Sequence, residues 1–241
     1  MSTPKQHFLG QPFDIHTPAE WQDIICNPSP TTFDYIVTPN VDHVVQISRR
    51  PEIIPAYSGA KWCMCDSRII GALGKRRGLD LGVYPGADLV RDLFTNPEMR
   101  QLKIAIIGPQ KHDFDTLCER MPHLNLTFID APVMSPGSEI WEKTLAASEA
   151  SGADIFMICL SFPKQEFFAQ DLKRRGKAHG IGLCVGASID FITDRQTRAP
   201  EWVRSIGAEW AYRLLSNPTR MWKRYVLDGP KIFMIFLKDQ S

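Results

Sequence analysis

The chain has 241 residues, 28 Lys and Arg against 27 Asp and Glu, a formal net charge of +1 and a hydrophobic fraction of 44%. Such a composition excludes a disordered chain, and the lack of a basic excess argues against a dedicated nucleic-acid binder. At ~150 residues per domain the length spans one to two domains, with a core large enough to fold without disulfides or metal.

The segment Met1–His7 lacks the charged and then apolar profile of a signal peptide. The longest apolar run near the other end, Ile232–Leu237, has six residues, where a membrane span needs ~20. A cytoplasmic location is therefore expected. The six cysteines, Cys26, Cys63, Cys65, Cys118, Cys159 and Cys184, form no C-x-x-C pair and read as reduced core residues.

In chain order, Thr17-Pro18-Ala19-Glu20 is a capping box with Pro at the first helical position. Short apolar runs rich in β-branched or aromatic residues follow at Tyr35–Val37, Trp62–Cys65, Ile104–Ile107, Leu124–Ile129, Ile155–Leu160 and Ile181–Val185. Helical patterns separate most of them, among them Glu139–Ala150 after Pro136-Gly137-Ser138. This alternation predicts an α/β fold, a Rossmann-like parallel sheet with helices on both faces, over residues 1–195.

From Ala199 onward no strand signal remains, and residues 196–241 are expected to form a helical appendage opened by Pro200 and again by Asn217-Pro218. Trp202, Ile206, Trp210 and Leu214 fall four residues apart and make an apolar stripe. Residues 195–241 hold nine basic and four acidic side chains and three of the six tryptophans, whereas residues 1–194 hold 19 basic and 23 acidic. A basic, aromatic appendage suits plain packing on the sheet domain. It equally suits contact with anionic lipid headgroups or a phosphate-bearing substrate.

Ligands of parallel α/β sheets bind at the carboxyl ends of the strands, so the residues just after each apolar run carry the information about chemistry. Thr38-Pro39-Asn40-Val41-Asp42-His43 places a hydroxyl, an amide, carboxylate and imidazole there, although Asn40 and His43 also suit a helix cap and first turn. Asp66 ends the second run, where a carboxylate backed by apolar residues can accept a proton; Asp66-Ser67 also reads as a helix start. Ser161-Phe162-Pro163-Lys164-Gln165-Glu166 opens a helix at a place that favours an anion.

No G-x-x-x-x-G-K-[ST] loop occurs, and Gly180-Ile181-Gly182 followed by Gly186 has the wrong spacing for a dinucleotide fingerprint. The histidines show neither H-x-H nor H-E-x-x-H, so no zinc site is expected. Asp113-Phe114-Asp115 matches a D-x-D metal motif but reads better as first-turn acids that complement a helix dipole.

Taken in order, T-P-N-V-D-H at 38–43, C-D at 65–66, G-A-D-L-V at 86–90, P-K-Q-E at 163–166, V-G-A-S-I-D-F at 185–191, R-A-P-E-W-V at 198–203, E-W-A-Y-R-L-L at 209–215 and P-T-R-M-W-K-R-Y at 218–225 resemble the WecG/TagA/CpsF family of bacterial glycosyltransferases. The resemblance covers roughly residues 7–227. It implies inverting, metal-independent transfer of an N-acetylmannosamine-type or glucose-type sugar from a UDP-sugar to a polyprenyl-diphosphate-linked sugar, with no cofactor and no nucleic acid. The work would be done at the cytoplasmic face of an anionic membrane, with homo-oligomers possible.

By the same resemblance Asp66 stands at the general base, with Thr38 and Asn40 lining its pocket. Gln165, Asp190, Gly108 and Asp88 stand at donor-binding positions, and Arg213, Arg220, Lys223 and Arg224 at positions that reach the diphosphate or the lipid acceptor. The chain departs from the family pattern at Ser67, where Gly is usual, at Val83, where Arg is common, and at Ala131-Pro132-Val133. These departures leave open a second expectation, a non-catalytic nucleotide-sugar or lipid-diphosphate binding module of the same fold.

Overall fold

The computed structural model describes residues 5–197, 199–200, 203, 209–216 and 218–239. It opens with an antiparallel hairpin, β1 (Lys5–Phe8) and β2 (Gln11–Asp14). The main sheet follows: β3 (Phe33–Val37), β4 (Trp62–Cys63), β5 (Lys103–Ile107), β6 (Asn125–Ile129), β7 (Ile155–Ile158) and β8 (Gly180–Cys184). All its pairings are parallel, in the order β4-β3-β8-β7-β5-β6. Helix α1 (Pro18–Cys26) leads from the hairpin into this sheet, and the crossovers between its strands are α2 (Val41–Ile47), α3 (Ile54–Ser58), α4 (Arg68–Lys75), α5 (Gly86–Thr95), α6 (Lys111–Arg120), α7 (Glu139–Ala150) and α8 (Lys164–Arg175).

Two apolar layers form because strand side chains alternate between faces. Tyr35, Val37, Ala105, Ile107, Phe156, Ile158 and Cys184 face a core closed by the hairpin, α2, α3, α4, α7 and α8. Ile36, Ile104, Ile106, Ile155, Met157, Ile181 and Leu183 face a second core under α1, α5 and α6. The expected parallel sheet with helices on both faces is therefore present. On β8 close packing has a specific condition, since a Cβ on Gly182 would lie 2.7 Å from the Phe33 ring. Only hydrogen fits there.

The apolar runs overshoot the ladders. Met64, Cys65, Cys159 and Leu160 continue past the last strand pairing, so the buried ends of these runs become the floor of the loops above the sheet. The hairpin was not anticipated from sequence, because its turn is Leu9-Gly10, both at positive φ (51° and 71°), rather than a recognisable turn pair.

Beyond β8 a 3-10 turn, Gly186–Phe191, leads to the helices α9 (Glu209–Ser216), α10 (Pro218–Trp222) and α11 (Lys231–Lys238), with a wider π-type turn at Lys223–Asp228. Helix α11 docks on the body. Ile232 is fully buried in the first core, Asp239 Oδ2 accepts from the Leu9 N–H at 2.8 Å, and Arg77 donates to the carbonyls of Phe236 and Asp239 at 3.2 Å. None of the described helices is long and apolar enough to cross a membrane.

Candidate active site

Sheet order places the exits of β4, β3, β8 and β7 side by side, and backbone hydrogen bonds stitch them together. Met64 N–H donates to the Val37 carbonyl at 2.9 Å and Asp66 N–H to Pro39 at 3.3 Å, which lays Asp66 beside Thr38-Pro39-Asn40. The Asp66 carboxylate then accepts from the Gly86 N–H at 2.5 Å, the first residue of α5. An anion at that helix end is favoured by the exposed N–H groups and the dipole. It also fixes which way the carboxylate faces. A Cβ on Gly86 would lie 3.7 Å from Asp66 Oδ1 and 3.4 Å from Ser188 Oγ, so Asp66, Gly86 and Ser188 converge where the backbone is bare.

Thr38 is buried and donates its hydroxyl to the Cys184 carbonyl at 2.7 Å, tying β3 to β8, while Asn40 Oδ1 accepts from Asp42 and His43 N–H and caps α2. Gln165 is buried on the first turn of α8: its Oε1 accepts from Gly186 N–H at 2.8 Å and its Nε2 donates to Glu166 at 2.9 Å. Gly108 lies at the β5 exit with φ of 109°, where a Cβ would approach the Cys159 carbonyl to 3.0 Å. Asp190 is near the Cys159 thiol, whose pKa burial and Asp190 push well up, and accepts from Gln196 Nε2 at 2.7 Å.

Asp88 stands slightly apart. It is buried one turn into α5 and paired with Arg91 at 2.9 Å and Arg68 at 3.8 Å. The side chains of Arg213, Arg220, Lys223 and Arg224 lie outside the described residues, as do Trp202 and Ile206 of the apolar stripe.

The D-x-D segment is tied up in ion pairs, with buried Asp113 on Arg195 at 2.6 Å and Asp115 on Lys111. Among the described residues no three His, Cys, Asp or Glu side chains converge as metal ligands would. Two departures from the family pattern have local structural reasons. Ser67 caps α4 by accepting from Ile70 N–H at 3.2 Å, and Val83 packs so tightly on Gly71 that a Cβ there would lie 2.3 Å from its methyl group. A hollow of about 270 Å³ at Ser29, Asp34 and Gly180 sits at the amino ends of the strands, away from these residues.

A second, buried layer lies beneath these residues and was not expected from the sequence. Glu166 is fully buried, and burial pushes its carboxyl pKa up to about 7 despite hydrogen bonds from Gln165 and Tyr57. His43 stacks on Phe162 with centroids 4.0 Å apart. His43 and Glu166 lie inside the 38–43 and 163–166 motifs, so the sequence carried a signal for them; Tyr57 lies in a five-residue helix with Pro55 in its first turn and gave none.

A parallel sheet that gathers a carboxylate, hydroxyl groups and helix-end amides at its carboxyl edge defines an α/β protein of the kind whose ligands bind at the strand ends. Within that class the chain belongs to the glycosyl transferase WecG/TagA/CpsF family, whose model matches residues 6–241. It is thus a glycosyltransferase. It is 26% identical over 212 residues to an N-acetylglucosaminyldiphosphoundecaprenol N-acetyl-beta-D-mannosaminyltransferase of Bacillus spizizenii (strain ATCC 23059 / NRRL B-14472 / W23), covering 86% of this chain and 79% of the relative. A protein of the same description from Bacillus subtilis (strain 168) is 36% identical over 105 residues, covering 42% of this chain and 40% of that one.

Proposed function

We propose that the chain transfers an N-acetylmannosamine-type sugar from a UDP-sugar to a polyprenyl-diphosphate-linked sugar, with inversion and without a metal. The activity by which both relatives are described supports the acceptor class and the sugar, with a glucose-type donor as the alternative. The observation that carries the reading is Asp66, held at the β4 exit by the Gly86 N–H beside Thr38, Asn40 and Ser188.

In this reaction the Asp66 carboxylate takes the proton of the acceptor hydroxyl as that oxygen attacks the anomeric carbon. The new C–O bond forms on the face opposite the UDP, the old C–O bond breaks, and its electron pair leaves on the diphosphate. Gln165, Asp190, Gly108 and Asp88 line or support the donor side. The appendage brings Arg213, Arg220, Lys223 and Arg224 to the departing diphosphate, where guanidinium groups stabilise developing charge with directional hydrogen bonds. The chain works at the cytoplasmic face of the membrane, held peripherally by residues 196–241.

NMR of the product tests the stereochemistry directly. With an α-linked UDP-sugar and EDTA present, a β-anomeric signal is expected; an α signal, or no product until a divalent cation is restored, overturns inversion or metal independence respectively.

A further inference from the structure

Beneath the cleft, helices α2, α3 and α8 share one buried polar relay. Glu166 Oε1 accepts from Gln165 Nε2 at 2.9 Å and from the Tyr57 hydroxyl at 3.4 Å. His43 Nδ1 lies 3.1 Å from the same hydroxyl and 3.9 Å from the carboxylate. Because Tyr57 donates to Glu166, its oxygen is left to accept from His43. Among the described residues, Glu166 Oε2 is buried without a hydrogen-bond partner. Among the described residues, Tyr35 from β3 and Cys184 from β8 also feel this carboxyl.

The other end of Gln165 leads to the cleft. Its Oε1 holds the Gly186 N–H at 2.8 Å, and Gly186, with φ of 54°, starts the turn that carries Ser188 and Asp190. A glutamine amide has two ends of similar shape, one donating and one accepting, so its partners decide which way it points. An ionised carboxylate only accepts. It therefore draws the NH2 end of Gln165 and leaves the oxygen for Gly186. A protonated carboxyl can also donate, and the reversed amide would face the Gly186 N–H with another donor.

We propose that Glu166 is a positioning residue: its carboxyl selects the orientation of the Gln165 amide, and through it anchors the Gly186–Phe191 turn that presents Ser188 and Asp190 to the donor. It is too buried to touch substrate itself. The kinetic consequence rests on the transferase reading, whereas the relay is a property of the fold. The relay is intact when the carboxyl is ionised and loosens as pH falls through the neutral range, in keeping with its raised pKa of about 7.

Hydrogen exchange of residues 185–191 in the full chain, corrected for intrinsic rates, tests the relay. At pH 8 the segment should exchange at least tenfold faster in Glu166→Gln than in the wild type, and wild-type protection should fall toward the variant's level by pH 6. Gln165→Ala should show the same acceleration, and the double variant no more than either single one, since both act through one bond. The wild-type pH series reads the relay even where a variant folds poorly.

In the transfer assay, Glu166→Gln should raise the KM for the UDP-sugar about tenfold at pH 8, leave kcat within about twofold, and abolish the wild type's loss of donor affinity below pH 7. Unchanged exchange at 185–191, additive effects in the double variant, or an unaltered pH profile would each overturn the proposal. If the wild type transfers no sugar, the transferase reading falls, while the exchange comparison still upholds or overturns the relay.

Discussion

Asp66 follows β4 and Glu166 lies in the first turn of α8, and the two carboxyl groups have different surroundings. Asp66 meets a helix end at the cleft, where the Gly86 N–H orients its carboxylate and an amide oxygen can also satisfy that N–H. Asp66→Asn should therefore keep the fold and donor affinity while lowering kcat by about 10²–10⁴-fold, the usual contribution of a general base; steady-state kinetics with isothermal titration of UDP checks both halves. Glu166 instead shapes the pH dependence of stability. Its folded pKa of about 7 lies above the ordinary 4.5, so the native state binds the extra proton between those values. Its contribution to stability is greatest below pH 4.5 and declines by order 3 kcal/mol as pH rises to about 7. Urea unfolding across that window should show this slope in the wild type and a flatter one in Glu166→Gln. At this scale Thr38, Asn40, Asp66 and Gln165 were legible because each follows an apolar run. The bonds they make were not, since Gln165 depends on Gly186, twenty-one residues away.

Elements were legible wherever apolar spacing and local hydrogen bonding agree. The box at Thr17 forms as read, with Thr17 Oγ1 accepting from Glu20 N–H at 3.3 Å and the Glu20 carboxylate accepting from Thr17 N–H at 2.7 Å. Thr17→Ala should cost about 1 kcal/mol in chemical denaturation. The sheet depends on tertiary fit that spacing does not reveal. Gly182 faces the Phe33 ring across the β3–β8 pairing, so Gly182→Ala should cost about 1–3 kcal/mol through overpacking, and the paired substitution Phe33→Leu should recover part of it. Strand order was equally hidden, because the β4-β3-β8 adjacency joins segments far apart in sequence. That adjacency is what brings Asp66, Thr38 and Ser188 to one place.

For the whole molecule, the appendage's last helix has one face on the body and one in solvent. Ile232 is buried, whereas Phe233, Met234 and Leu237 are each more than half exposed, with Lys231 and Lys238 nearby on the helix. Removing the whole tail would uncover core that Ile232 covers, so point changes test membrane contact more cleanly. Phe233→Ser with Leu237→Ser should lower partitioning onto anionic vesicles at least tenfold without changing the melting temperature, and salt should weaken what binding remains. Unchanged partitioning would place the membrane contact elsewhere. The lack of a strand signal after Ala199 made the C-terminal helices legible; the docking of the last one through Asp239 on the Leu9 N–H was not.

Transfer of a sugar with Asp66 as the base is tested most directly by mass spectrometry of products. Purified wild-type and Asp66→Asn chains would be mixed with a panel of UDP-sugars and a short-chain prenyl-diphosphate sugar. An acceptor heavier by one N-acetylhexosamine is expected from the wild type, and little or none from Asp66→Asn over the same time. Equal product from both chains would contradict the role of Asp66, and no product from any donor, with UDP still bound, would contradict the proposed reaction.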